Sequence, residues 1–314
     1  MSVTARFFSG DADVAAIERI IAAATGDTTR RGYWHIGDFL WIFYRYGAPP
    51  GDPRQDLRLW QDDDGAPVGF AWLAAPDAIE LQIHPRRSGD ERVAIEGAML
   101  DWAEERWREL ARGDVAVGPL AATAFEDDNE RIALLERRGY ARHGFRGDPA
   151  NSLLHLQRDP RAPIDERVPA TGTTARAVVG EADLAGRVAL HRAVWQGSKL
   201  TVEGYRRMRA VPGYDKDLDL VAVTPDGEFG AYCICWLDAV NGVGAFEPVG
   251  THPLFRRRGM AQAVVLEGLR RLRDRGATRV IVLTTETNGA AVALYESAGF
   301  RIVAKQYDYI LAFT

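Results

Sequence analysis

Residues Phe246 to Ala261 read F-E-P-V-G-T-H-P-L-F-R-R-R-G-M-A, and an amphipathic segment starts directly behind them. Phe246, Val249 and the β-branched Thr251 predict a short strand, His252-Pro253 closes it, and Arg256-x-x-Gly259-x-Ala261 leads into a helix. This order leaves several N–H groups of the first helical turn without internal acceptors, and the helix dipole adds partial positive charge at the same place. Such a loop is suited to a pyrophosphate. Gly259 and the small Ala261 let phosphates approach the backbone from Arg257 through Met260, while Arg256, Arg257 and Arg258 add charge around them. No Lys-Ser/Thr pair follows the glycine and no G-x-G-x-x-G is present, so the loop is neither a Walker loop nor a dinucleotide fingerprint.

Residues Asn288 to Phe300, N-G-A-A-V-A-L-Y-E-S-A-G-F, predict a helix ending at a Gly cap before a final strand. One helix and one strand fit between the two motifs. Together they closely resemble the GNAT superfamily of N-acetyltransferases, over roughly residues 170 to 314. The resemblance implies that the first motif grips the pyrophosphate of acetyl-CoA and that the second supplies Asn288 to the cofactor and Tyr295 to the thioester. It also implies a splayed strand whose backbone pairs with the pantetheine arm. Pro248 and Gly250, both poor interior strand residues, are where a bulge or splay is expected, so Val249, Gly250 and Thr251 are the expected pantetheine contacts.

The first half carries the same unit in weakened form. His84-Pro85 corresponds to His252-Pro253, and D-N-E-R-I-A-L-L-E-R-R-G-Y at 128 to 140 repeats the Asn288 to Phe300 pattern. The expected division is a degenerate unit at 1–157, a Pro-punctuated linker at 158–170 and a catalytic unit at 171–314. The expected fold class is α/β, two tandem GNAT-like domains, each a mixed, mostly antiparallel sheet flanked by helices with a splayed central strand pair. Tandem copies resemble the layout of the mycothiol synthase family, although no residue here identifies its substrate. Val14, Ile17, Ile20 and Ile21 predict one face of a first helix. The aromatic run at 32–47 predicts a buried helix or domain interface, or else a pocket lined by Trp34, Trp41 and Tyr44.

A chain of 314 residues with 46% hydrophobic content allows each half its own core. Cys233 and Cys235 alternate in an apparent strand, so neither a disulfide framework nor a metal site is expected, and a reducing cytoplasm fits. No stretch approaches a membrane span. A net charge of -5 and a pI near 5.8 argue against nucleic acid and leave an amine-bearing partner unrepelled. A monomer or homodimer is expected.

Moving acetyl from a thioester to an amine requires a deprotonated amine and a protonated leaving thiolate. Amines of the lysine type have pKa about 10.4 and thiols about 8.5, so a base and a weak acid are both needed near neutral pH. Tyr295 is the expected acid. Glu247, on the cleft strand and on the face of Val249 and Thr251 if alternation survives the bulge, is the expected base, unless it only pairs with an arginine. His252 is matched by His84 in a half lacking the rest of the machinery, which favours a structural role. Trp195, Ser198, Tyr205 and Tyr214 are candidate contacts for the acceptor, a small-molecule or protein amine. A CoA-binding sensor without turnover and an O-acyltransferase are the competing readings. Anchored at the His-Pro pairs, Ile79 stands opposite Glu247. Anchored at the terminal glycines, Leu135 stands opposite Tyr295.

Overall fold

The computed structural model describes residues 3–44, 56–113, 117–165 and 172–312. Residues 45–47 of the aromatic run, 114–116 and 166–170 of the expected linker lie outside the described residues. The first half runs β1 (Val3–Phe7), α1 (Asp11–Gly26), α2 (Ile36–Tyr44), β2 (Leu57–Asp62), β3 (Pro67–Ala75), β4 (Ala78–Ile83), α3 (Gly89–Ala111), β5 (Leu120–Phe125), α4 (Asn129–Arg137), β6 (Ala141–His143) and β7 (Leu153–Arg158). The second runs β8 (Thr174–Ala177), α5 (Ala182–Val194), α6 (Val202–Met208), β9 (Asp219–Val223), β10 (Phe229–Asp238), β11 (Val243–Thr251), α7 (Met260–Asp274), β12 (Arg279–Thr285), α8 (Gly289–Ser297) and β13 (Arg301–Leu311).

The local physics behind these elements is simple. Val14, Ile17, Ile20 and Ile21 recur at helical spacing and are all buried, which is why α1 forms and where it packs. Thr201 caps α6 by accepting from the Gly204 amide, and Asp128 and Asn288 cap α4 and α8 by accepting from the amides of Arg131 and Ala291. On α7, Val265, Leu266, Leu269 and Leu272 form the buried stripe, opposite a face of arginines.

All thirteen strands join one sheet, ordered β1-β2-β3-β4-β5-β13-β7-β12-β11-β10-β9-β8, with β6 paired to β13. Two parallel pairs, β4 with β5 and β11 with β12, sit in an otherwise antiparallel arrangement. The halves exchange their last strands. Leu153–Arg158, from the first half, lies between β12 and β13, while residues 306–311 of β13 pair with β5 of the first half. The expected boundary at 157 therefore falls inside a strand that belongs to the second half's sheet.

One face of the sheet carries α3 in the first half and α7 in the second, each over its own apolar cluster. The other face carries α1, α2, α5 and α6 over a single cluster running through both halves, from Ile17 and Trp72 to Tyr205 and Trp236. Phe39, Leu40 and Trp41 of α2 are buried there, so residues 36–44 of the aromatic run form a buried interface helix, while Trp34 before it lines a cavity and Trp41 and Tyr44 do not. Trp41 meets His191 edge-on at 5.5 Å across the halves. No helix among the described residues is long and apolar enough to cross a membrane.

Candidate active site

β11 and β12 pair in parallel only from Val243–Phe246 to Arg279–Val282, and both strands then continue apart. The divergence begins at Glu247-Pro248, where proline cannot donate to a ladder. On the other side of β11, Val249 pairs with Cys233 and Phe246 with Cys235, so Glu247 and Pro248 together face Ile234 in a bulge. The extra residue resets the alternation. Val249 returns to the face of Phe246, packed over the α7 side. The expectation that Glu247 would share a face with Val249 and Thr251 therefore fails, because one inserted residue flips the pleat.

Gly250 pairs with Tyr232. A Cβ at Gly250 would stand 2.6 Å from Tyr232 Cε1 and 2.9 Å from Val194 Cγ1, so glycine is required for β11 to lie on the tyrosine ring. Beyond Thr251, His252 accepts the Leu254 amide at its Nδ1 (3.2 Å) and caps a single 3₁₀ turn, Pro253–Phe255. His84 Nδ1 accepts the Arg86 amide at the same distance. Both histidines close a strand, as their repetition suggested.

Arg257 and Gly259 have positive φ, 64° and 75°, and Gly259 is the N-cap of α7 without a side-chain cap hydrogen bond. The first amides of α7 thus open outward into a cradle, with Arg256, Arg257 and Arg258 exposed around it. Among the described residues none of these three arginines is in an ion pair; Arg258 lies 5.3 Å over the Phe255 ring. Met260 is buried below, and Ala261 is half-buried. The residues present fit a pyrophosphate.

Tyr295 projects from α8 into the α7-side cluster, 5.9 Å from Phe300, which in turn lies 6.0 Å from Phe246. Burial first, then the nearby Glu247, Cys233 and Tyr232, push its hydroxyl well above the usual phenol range, so it is a protonated phenol at any working pH. The charge of Glu247 also helps to raise both the Tyr295 and the Tyr232 hydroxyls, after burial in each case. Glu247 stands where β11 leaves β12, Tyr295 lies in the α7-side cluster, and Asn288 caps the helix that carries Tyr295.

The four acceptor candidates separate. Trp195 is 46% exposed at the end of α5. Ser198 is half-buried in the turn that follows, its amide donating to the Trp195 carbonyl. Tyr214 is half-buried and bonds Asp219 at 2.7 Å. Tyr205 has no exposed surface, and its hydroxyl also bonds Asp219. It is a core residue here, its hydroxyl donating to the carboxylate that pairs with the buried Arg187. Sequence reasoning missed Tyr232, whose hydroxyl accepts from Trp195 Nε1 (2.7 Å) and lies 2.8 Å from His191 Nδ1.

The corresponding cleft of the first half is built differently. β4 and β5 pair only at Ala78–Ile79 with Ala121–Ala122, so this pair splays too. Ile79 and Phe246 are the last paired residues in the two halves, and β4 runs in regular register against β3 from Ile79 to Ile83, the one shift lying before it at Leu73/Ala75. Glu80, not Ile79, is therefore the counterpart of Glu247; counting from the His-Pro pairs missed the bulge. Burial and the neighbouring Asp308 push the Glu80 carboxyl up to about 7. Leu135 does take the place of Tyr295, fully buried.

Tyr33 fills the gap. Its amide donates to Gln82 Oε1 of β4 (2.8 Å), and its hydroxyl accepts from the Phe125 amide of β5 (3.2 Å) and donates to Asp128 (2.8 Å). Arg131 lies 3.7 Å over the ring. Beside the start of α3, Arg92 is bonded by Asp128, Glu130 and Glu96, so side-chain carboxylates hold the cation that phosphates would otherwise meet.

These features match known proteins. The family model for the acetyltransferase (GNAT) family matches residues 192–300. Mycothiol acetyltransferase of Kineococcus radiotolerans is 30% identical over 264 residues, 80% of each chain. That of Salinispora arenicola is 32% identical over 291 residues, 84% of this chain and 87% of the relative. The chain belongs to the GNAT acetyltransferase family. A solved tandem GNAT protein from the clavulanic acid biosynthesis pathway has the same fold, with a TM-score of 0.66 at 17% identity, covering 99% of this chain and 98% of that one. As a GNAT acetyltransferase, this chain uses acetyl-CoA as its acyl donor, and the tandem arrangement of the two halves is that of the solved neighbour.

Proposed function

We propose that residues 171–314 bind acetyl-CoA and transfer its acetyl group by direct attack of a primary amine, with residues 1–157 a degenerate copy that holds no cofactor and 158–170 a linker. The observation that carries the reading is the parting of β11 from β12 at Glu247-Pro248, which leaves the Val249–Thr251 backbone unpaired on that side and leads to the open amides behind Gly259. Val249, Gly250 and Thr251 pair with the pantetheine arm. The amides from Arg257 to Ala261, with Arg256 to Arg258 around them, hold the pyrophosphate, and Asn288 contacts the cofactor from α8.

The cofactor supplies an activated acetyl thioester. Glu247 takes a proton from the amine, directly or through water, as the nitrogen bonds to the carbonyl carbon and the C–S bond breaks. Tyr295 gives its proton to the departing sulfur. One proton has then passed from nitrogen to sulfur, and exchange with solvent returns both side chains to their starting states. A buried phenol is suited to this role because its proton leaves only for a stronger base, which a thiolate expelled into a dry site becomes.

The acceptor is a small molecule rather than a protein lysine. A cavity of about 900 Å³ lies between the halves, lined by Val243, Ile281 and Leu283 of the second and by Trp34, Arg92 and Asp128 among others of the first. The names of the relatives point the same way. The test is CoA release from acetyl-CoA by the intact chain with a panel comprising the amine precursor of mycothiol, amino sugars, polyamines, free amino acids and a lysine peptide. Turnover confined to small amines is expected; turnover of the lysine peptide alone would reverse the acceptor class.

A further inference from the structure

The loop from β12 to α8, residues 286–288, presents three backbone amides that need acceptors. The Asn288 amide finds one inside the loop, the Thr285 carbonyl (3.0 Å). The other two donate to the first half: Glu286 to the Ser152 carbonyl (2.8 Å) and Thr287 to the side-chain oxygen of Asn151 (3.2 Å). The Ser152 hydroxyl donates to one oxygen of Glu286 (2.6 Å), and Lys305 of β13 holds the other (2.7 Å). Asn151 and Ser152 are buried and stand directly before β7, the strand that the first half inserts between β12 and β13. Asn151 is itself fixed. Its Nδ2 donates to the Phe145 carbonyl (3.3 Å), its carbonyl accepts the Phe145 amide (2.9 Å), and the Arg146 amide of the same turn donates to Asp308 of β13 (2.8 Å).

α8 has little core contact of its own to fix its direction. Tyr295 is its one buried residue, whereas α4 in the first half buries Arg131, Leu134 and Leu135. At 1.5 Å of rise per residue, Tyr295 stands about 10 Å along the axis from Asn288, so a tilt at the loop displaces the phenol and the cap together. Three hydrogen bonds from Asn151 and Ser152 remove that freedom. We infer that Asn151 and Ser152 are positioning residues for acetyl transfer, a clamp supplied by the first half that sets the β12–α8 loop and with it Asn288 and Tyr295. This rests on the second half being the site of transfer. The clamp gives the first half a part in the reaction without a cofactor of its own, and the exchange of β7 is what delivers it.

The experiment uses the intact chain, acetyl-CoA and the amine from the panel above with the highest kcat/KM. Asn151→Ala, which frees the Thr287 amide, should raise the KM for acetyl-CoA about fivefold and lower kcat about tenfold, with the KM for the amine within twofold of wild type. Asn151→Asp keeps an acceptor for that amide and loses the donor to Phe145. Both variants should therefore melt below wild type, while Asn151→Asp keeps kcat and the KM for acetyl-CoA within about twofold. A loss of folded protein alone would scale kcat in both variants and leave each KM unchanged. Ser152→Ala removes a single oxygen and should raise the KM for acetyl-CoA about threefold, which tests the clamp by itself if Asn151→Ala fails to fold. Wild-type constants for acetyl-CoA in Asn151→Ala and Ser152→Ala, or equal losses in Asn151→Ala and Asn151→Asp, overturn the clamp while Gly259→Glu still abolishes cofactor binding. Unchanged turnover in Gly259→Glu, or a wild-type chain that acetylates no member of the panel, overturns the site and the clamp together.

Discussion

Gly250→Ala is a perturbation whose outcome follows from geometry. Gly250 is not among the glycines with positive φ, so alanine is allowed by the backbone and any penalty comes from the added methyl. That methyl would stand 2.6 Å and 2.9 Å from two ring atoms of Tyr232 and 2.9 Å from Val194 Cγ1. Tyr232 has nowhere to retreat, with Arg187 on its ring and His191 and Trp195 on its hydroxyl. The strand must yield instead. Overpacking of this kind costs about 1–3 kcal/mol, which for a protein of this size lowers Tm by roughly 2–8 °C. The displaced backbone is the one assigned to pantetheine, so losing one aligned hydrogen bond should raise the KM for acetyl-CoA roughly fivefold. Calorimetric melting and initial rates measure the two effects. On a Tyr232→Val background, which removes the ring, the penalty of the methyl should shrink to what the Val194 contact alone costs. An unchanged Tm and KM in Gly250→Ala, or the same penalty without the ring, would refute the reasoning.

Tyr295→Phe should lower kcat by roughly 10²–10⁴-fold while acetyl-CoA still binds, and because burial keeps the phenol protonated, the deficit should be constant between pH 6 and 9. Glu247→Gln should flatten the acidic limb of the kcat/KM profile; an unaltered limb removes Glu247 as the base. Glu80→Gln should stabilise the protein above neutrality. The native carboxyl titrates near 7 against an ordinary 4.5, so the folded state keeps a proton that the unfolded chain has released, and stability is lost as pH rises through that window. Gln carries no such loss. The gain in Glu80→Gln, negligible at pH 4.5, should reach on the order of 2 kcal/mol by pH 8 after allowance for partial screening, and a gain independent of pH would contradict the assignment.

The strand, loop and helix around Gly259 were legible because each carries a local signal: β-branched residues, a His-Pro stop, a glycine at a left-handed cap. The element order of both halves followed for the same reason. Pro248 and Gly250 marked the splay, but not the one-residue reset that moves Glu247 off the face of Val249 and makes Glu80 its counterpart, since that depends on what stands opposite in β10. The exchange of β7 and β13 left no trace either. An eleven-residue strand reads the same whether it serves one sheet or two, and the choice of neighbour is made by tertiary packing. Tyr33 looked like one aromatic among many, whereas its position between Gln82 and Phe125 decides the fate of the first cleft. Tyr232 carried a usable hint. A hydroxyl inside the apolar run G-A-Y-C-I-C-W must find a partner when buried, and His191 and Trp195, four residues apart on one helix face, are the kind of pair that supplies it.

The account stands on a single cofactor site, in the second half, at the amides behind Gly259, with the first cleft occupied by Tyr33 and by the carboxylates on Arg92. Titration calorimetry of the intact chain with acetyl-CoA tests it most directly. One molecule per chain should bind, and Gly259→Glu, which sets bulk and negative charge in the cradle, should abolish the signal. Two molecules per chain, or one that survives Gly259→Glu, would contradict it.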